Sequence, residues 1–315
     1  MTSKVPPSGV WAPAITFFDP ETDTLIPSDQ ATYYSYLSKT GLAGLVILGT
    51  NAETFLLTRE ERKQLVQIAR EACGPEYPIM AGVGGHSTRQ VLEYIADAAG
   101  AGANYVLVLP PAYFGKATTP AVIDGFFAEV AAKSPLPVVL YNFPGVCNGV
   151  DLDSETVARL ACAHGDKIVG VKLTCGSVAK ITRLAAELPA DRFATFGGQS
   201  DFLIGGLSVG SAGCIAAFAN VFPRTIVQVY RLYKEGRYEE ALALHQKAAL
   251  AEQPCKSGIA ATKYAAAIHT AKAAGIEGAE QKLRPRRPYT EPSEAVKQNV
   301  IAQMAELAKI EESLR

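Results

Sequence analysis

The chain has 315 residues, 48% of them apolar and 19% charged, which is enough to bury a large core and too apolar for a disordered protein. Thirty basic residues against thirty-one acidic ones leave a net charge of −1, which argues against a nucleic-acid surface. The one basic run, Arg284-Pro285-Arg286-Arg287, reads as a solvated or salt-bridged turn.

No stretch of about 18 apolar residues is free of charges and helix breakers, so no membrane span is expected. The N-terminal Met1-Thr2-Ser3-Lys4-Val5-Pro6-Pro7 has neither an apolar run nor an arginine-rich amphipathic pattern, and a cytoplasmic location is the expectation. The six cysteines, at 73, 147, 162, 175, 214 and 255, form no C-x-x-C pair. His86, His164, His245 and His269 show no H-x-x-x-H spacing, so no metal site and no cofactor are expected.

Along the chain, short apolar runs alternate with helical patterns. The runs are Val10–Phe18, Ala43–Gly49, Pro78–Val83, Tyr105–Leu109, Leu136–Tyr141, Ile168–Leu173, Phe193–Phe196 and Gly213–Phe218. Most are bounded by Gly, Pro or Asn and rich in Val, Ile and Leu, as strands buried on both faces are. Between them, helical spacing covers Ser28–Lys39, Arg62–Ala72, Ser87–Gly100, Thr119–Ala132, Ser154–Ala163, Ser177–Leu188, Ser200–Leu207 and Phe222–Lys234. Thr58-Arg-Glu-Glu61 resembles a capping box ahead of the second helix. Eight strand–helix units predict an α/β fold, a parallel (β/α)8 TIM barrel over residues 8–235. An open doubly wound sheet is the rival, but the first strand runs into Phe17-Phe18-Asp19-Pro20 with no glycine cradle. After residue 236 the strands stop. Tyr238–Glu252, Gly258–Ala274 and Glu291–Leu314 predict a C-terminal helical region, 236–315, packed on the barrel.

In such a barrel the working groups sit at the C-terminal ends of strands. Lys172 stands in Ile168-Val-Gly-Val-Lys-Leu-Thr174, an otherwise apolar strand. A period of two puts Gly170, Lys172 and Thr174 on the inner face, and Val169, Val171 and Leu173 against the helices. Burial disfavours an ammonium, and the neutral amine is what attack on a ketone requires. The other reading is a structural lysine that snorkels to water or pairs with a carboxylate. Tyr141 ends the neighbouring fifth strand. It is either a proton carrier beside that amine or a core tyrosine satisfied by a carbonyl. Gly49-Thr50-Asn51 offers backbone N–H groups and short polar side chains, suited to a substrate carboxylate or to an ordinary helix cap. Glu53 in the same turn reads as a hydrogen-bond anchor rather than a base.

With these residues in place the chain resembles the dihydrodipicolinate synthase / N-acetylneuraminate lyase family of pyruvate-dependent class I aldolases. The resemblance rests on Gly49-Thr-Asn-Ala-Glu53, Tyr141-Asn-Phe-Pro144, Gly170-Val-Lys-Leu-Thr174, Gly198-Gln-Ser-Asp201 and Ala219-Asn220, in order and on the right strand ends. It implies that Lys172 forms the imine, that Tyr141 shuttles protons, and that Thr50 and Asn51 bind the pyruvate carboxylate. Gly198, Ser200, Asp201 and Ile215 complete the expected substrate-binding set, with Ser200 and Asp201 on sugar hydroxyls or as a helix cap. It also implies a homotetramer, a dimer of dimers, in which Tyr113 reaches a neighbouring subunit.

The chain departs from the family's synthases where Gly145-Val-Cys-Asn148 replaces the arginine that follows the Tyr-Asn-x-Pro segment. The preferred expectation is therefore cleavage of a 2-keto-3-deoxy sugar acid, L-threo-3-deoxy-hexulosonate (2-keto-3-deoxy-L-galactonate) of galacturonate catabolism, to pyruvate and L-glyceraldehyde. 4-Hydroxy-2-oxoglutarate cleavage is the alternative, followed by dihydrodipicolinate synthesis or sialic acid cleavage. A metal-dependent aldolase, a phosphosugar barrel using Gly197-Gly198, and a non-catalytic metabolite-binding barrel are the other rivals.

Overall fold

A computed structural model describes residues 5–315; the Met1–Lys4 part of the N-terminal segment lies outside the described residues. Eight short strands close a parallel barrel in sequence order, with the eighth hydrogen-bonded back to the first. They are β1 Gly9–Pro13, β2 Gly44–Ile47, β3 Ile79–Gly82, β4 Tyr105–Val108, β5 Val138–Asn142, β6 Ile168–Leu173, β7 Ala194–Gly197 and β8 Gly213–Ile215. The intervening helices are α1 Pro27–Ser38, α2 Arg59–Cys73, α3 Thr88–Gly100, α4 Pro120–Lys133, α5 Ser154–Ala163, α6 Val178–Glu187, α7 Leu203–Leu207 and α8 Pro223–Lys234. Four more follow: α9 Tyr238–Glu252, α10 Ile259–Ala266, α11 Ala279–Lys282 and α12 Glu294–Ser313. A π-helical turn, Ala267–Ala271, continues α10. No helix among the described residues is long and apolar enough to cross a membrane.

Local chemistry starts several helices as the sequence predicts. Thr58 and Glu61 exchange the two hydrogen bonds of a capping box ahead of α2. Ser87, Thr119 and Ser177 each accept a backbone N–H at the start of their helices.

The barrel is filled by side chains from its own strands. Trp11 sits at its centre, edge-on to Tyr105 and Phe196 with ring centroids 6.3 Å away in both cases. That packing requires Gly44, because a Cβ there would lie 2.3 Å from the Trp11 ring. Trp11 Nε1 donates to Pro7 O at 3.0 Å and Tyr105 Oη to Val5 O at 3.2 Å, so the incoming N-terminal segment closes the floor.

Three expectations need correction. The first apolar run leaves the sheet at Pro13, five residues before its predicted end at Phe18. Ile15 and Phe17 owe their apolar character to burial beside α1, where the Gln30 amide accepts from Phe17 N and donates to Ile15 O. Val169 belongs to the barrel interior, not to the outer face. A bulge causes this: Val138 pairs with Ile168 but Val139 pairs with Gly170, leaving Val169 as an extra residue and resetting the alternation. The helix predicted from Ser200 begins only at Leu203, because the Ser200 hydroxyl is bonded to Glu252 and caps nothing.

The C-terminal helices do more than cover the barrel. Glu311 of α12 accepts from Arg224 N, Thr225 N and Thr225 Oγ1 at 3.0, 2.7 and 2.6 Å, and so caps the start of α8 from a distant element. In the π-helical turn, Thr270 Oγ1 donates to Asn220 O, and His269 lies 4.7 Å from the Phe222 ring centroid. His269 Nε2 is buried without a partner, and burial with the nearby Lys272 charge lowers its pKa to about 4.

An imidazole held neutral in this way stabilises the fold above its unfolded pKa near 6.5 and loses that contribution as pH falls towards about 4. The difference is worth up to about 3 kcal/mol. In denaturant titrations between pH 7 and pH 4, His269→Phe should therefore lose less stability than the unaltered chain. Parallel curves would assign the acid sensitivity elsewhere.

Candidate active site

Tyr141 and Lys172 are register partners on β5 and β6, so the strand ladder itself sets them side by side. Both point into the barrel mouth, and they are 3% and 2% exposed. Lys172 Nζ donates to Tyr141 Oη at 3.2 Å and lies 4.3 Å from the phenol ring centroid. Tyr141 Oη and Thr50 Oγ1 are 3.3 Å apart. Amine, phenol and hydroxyl thus form one hydrogen-bonded chain from β6 through β5 to the turn after β2. A buried amine with a hydroxyl partner and no carboxylate can act as a nucleophile, and the phenol–threonine pair can carry a proton to and from it.

Strained backbone shapes the turn that bears Thr50. Leu48 and Glu53 both have left-handed conformations, with φ of 65° and 57°, and they bracket Gly49-Thr-Asn-Ala52. The leading N–H groups of the tight turn Thr50–Ala52 have no partner within it. Thr50 and Asn51 are half-buried, and Thr16 Oγ1 donates to Ala52 O at 2.9 Å. Glu53 is an anchor, as its sequence context suggests. Its carboxylate takes Lys263 Nζ at 2.6 Å and Arg286 N at 2.7 Å. Lys263 is fully buried, also donates to Arg284 O at 2.9 Å, and has its pKa lowered by burial against the pull of Glu53. Arg286, in the basic run, pairs with Glu61 and Asp23. Sequence reasoning missed Lys263, although a lysine within the alanine-rich stretch of α10 is the same anomaly as Lys172.

The loop after β7 is arranged differently from the expectation. Gly198 N donates to Leu173 O at 2.9 Å, and a Cβ on Gly198 would meet Thr174 Oγ1 at 2.1 Å, so only glycine fits. The Ser200 hydroxyl is buried and donates to Glu252 Oε2 at 2.5 Å. Asp201 pairs with Lys256 at 2.8 Å, and Lys256 also contacts Gln199 Oε1 at 2.9 Å and Glu252 Oε1 at 3.1 Å. Burial pushes the Glu252 carboxyl up, whereas it holds His245, which contacts Ser200 O at 2.7 Å, below its usual value. The Ser200 hydroxyl is therefore spent on Glu252 and Asp201 Oδ2 on Lys256, while Asp201 Oδ1 is buried without a hydrogen-bond partner. Ile215 is wholly buried in the inner layer of the barrel.

Tyr113 is 71% exposed; its ring contacts are with His86 and Phe114, outside the amine–phenol–hydroxyl chain. Asn148, at the end of the segment that replaces the arginine, bonds Ala112 O and Tyr113 O at 2.9 and 3.2 Å. Among the described residues no cluster of three or more His, Cys, Asp or Glu is arranged to hold a metal.

Residues 6–307 match the Dihydrodipicolinate synthetase family. Over its whole length the chain is 69% identical to the whole of a Coccidioides immitis (strain RS) protein provisionally named a mitochondrial 4-hydroxy-2-oxoglutarate aldolase. It is 38% identical to an L-threo-3-deoxy-hexylosonate aldolase of Hypocrea jecorina, over 82% of this chain and 85% of that one. A crystal structure of a dihydrodipicolinate synthase family protein from Coccidioides immitis superposes with a TM-score of 0.95, at 65% identity and full coverage of both chains. The chain belongs to the dihydrodipicolinate synthetase family. It is a carbon–carbon lyase, a class I aldolase of that family.

Removing one partner of a buried ion pair strands the other charge and costs about 3–5 kcal/mol. Lys263→Met should destabilise the chain by that order in urea, and adding Glu53→Gln should recover part of it. A single variant within about 1 kcal/mol of the parent would show that the pair does not hold the turn.

Proposed function

We propose that this aldolase cleaves 4-hydroxy-2-oxoglutarate to pyruvate and glyoxylate. The observation that carries the chemistry is the Lys172–Tyr141–Thr50 chain of hydrogen bonds at the barrel mouth. Lys172 Nζ adds its electron pair to the C2 ketone, and the carbinolamine oxygen leaves as water with a proton supplied by Tyr141 Oη, giving a protonated imine beside a phenolate. Tyr141 Oη, relayed by Thr50, takes the proton of the C4 hydroxyl. The C3–C4 electron pair flows into the imine, C4 departs as the aldehyde, and C3 becomes the enamine carbon. Reprotonation at C3 and addition of water then release pyruvate and restore the amine. Thr50 and Asn51 hold the carboxylate next to the ketone through the exposed N–H groups of their turn.

Two observations support this substrate over the sugar acid expected first. The relative at 69% identity carries the hydroxyoxoglutarate name, whereas those named for L-threo-3-deoxy-hexylosonate are 38% and 34% identical. The Ser200 hydroxyl and Asp201 Oδ2, assigned above to sugar hydroxyls, are engaged by Glu252 and Lys256.

The reading extends to assembly: the exposed Tyr113 and Phe114 suit a homotetramer in which one of them reaches a neighbouring site. The cytoplasmic location expected from the sequence has less support than a mitochondrial one, which two relatives carry in their names. Pyruvate release from 4-hydroxy-2-oxoglutarate, L-threo- and D-erythro-2-keto-3-deoxyhexonates and sialic acid is the deciding comparison. The kcat/KM for hydroxyoxoglutarate should exceed the others by about tenfold or more. Faster turnover of either hexonate would return the sugar-acid reading to first place.

A further inference from the structure

The motif that carries Tyr141 holds a second polar residue, one the chemistry above does not use. Asn142 ends β5 and is wholly buried, with its side chain on the outer face of the strand, opposite the Tyr141 phenol. Its amide is engaged at both ends. Nδ2 donates to Asp151 Oδ1 at 2.7 Å, and Oδ1 accepts from Leu152 N at 2.9 Å, so one side chain closes the loop that runs from Phe143 to Asp151. Lys180, in the first turn of α6, backs this closure. Its Nζ donates to the same Asp151 oxygen at 2.5 Å and to Leu152 O at 2.9 Å.

This outer clamp bears on the phenol in two ways. Asn142 O accepts from Thr174 N at 2.9 Å, which ties β5 to β6 just beyond the paired Tyr141 and Lys172. Phe143, the first residue of the closed loop, lies against the Tyr141 ring with the centroids 5.9 Å apart. The contacts that depend on this placement are long for hydrogen bonds, 3.2 Å from Lys172 Nζ to Tyr141 Oη and 3.3 Å from there to Thr50 Oγ1. An outward shift of the strand end by about half an ångström breaks them both.

We propose that Asn142 is a positioning residue for the aldol chemistry: clamped by Asp151, Leu152 and Lys180, it sets the distance between the Tyr141 phenol and the Lys172 amine. It touches no reacting atom and acts only through Tyr141. The inference rests on the proton-carrier role of Tyr141 and not on which keto acid is cleaved.

The test uses the keto acid that the parent chain cleaves fastest. It scales kcat to the sites trapped by pyruvate and borohydride, so that unfolded protein drops out. Asn142→Asp sets a second carboxylate against Asp151, and the swap Asn142→Asp with Asp151→Asn restores one donor facing one acceptor. The single variant should lower kcat per trapped site about tenfold to a hundredfold, with KM within about twofold of the parent. The swap should recover kcat to within about threefold. Lys180→Met leaves Asp151 47% exposed and hydrated, and keeps the test open if the first variant does not fold. It should lower kcat per trapped site about threefold, again with little change in KM. Unchanged kcat per trapped site in the folded variants, or a loss that the swap does not reverse, would overturn the assignment. Full activity in Tyr141→Phe would overturn the proton-carrier reading itself, and the role of Asn142 with it.

Discussion

The structure is organised around an amine buried inside the barrel at its mouth. Lys172 lies inside the barrel, 2% exposed, with no carboxylate paired to it among the described residues; its polar contact is with the Tyr141 phenol. A fold tolerates this when the amine serves covalent chemistry, since a lysine paired with an acid would be held as an ammonium and could not attack a carbonyl. The closed parallel barrel makes the placement exact. Adjacent strands run in register, so the residue beside Lys172 on β5 is set by the ladder and not by a flexible loop.

The carboxylate turn depends on a second kind of constraint. Two residues in left-handed backbone conformations keep it bent, and that geometry persists only if something outside the turn holds it. Lys263 and Arg286 supply the hold from the C-terminal helical region, across a separation of 210 residues in the case of Lys263 and Glu53. The helices after the barrel therefore hold elements of the barrel mouth in place. α12 fixes the start of α8, α10 fixes the turn, and the segment around Arg286 ties both to α2 through Glu61.

Much of this was legible in the sequence, for identifiable reasons. Strand–helix alternation predicts a barrel because each period is local. Lys172 stands out because a charged residue interrupts an apolar strand, and Tyr141 follows from strand adjacency. The misplaced Val169 shows the limit of period-two reasoning, since one extra residue in a bulge reverses a face without any change in composition. The engagement of Ser200 by Glu252, the clamp on Glu53 and the cap from Glu311 were not legible. Each joins residues far apart in sequence, and each depends on how helices pack after the barrel closes.

The central claim is that one particular nitrogen bonds covalently to the keto acid. Incubating the protein with pyruvate and sodium borohydride, then locating the reduced adduct by peptide mass mapping, tests it most directly. The account predicts a secondary amine on Lys172 alone. An adduct confined to another lysine, such as Lys256, or none from an enzyme that still turns over, would contradict it.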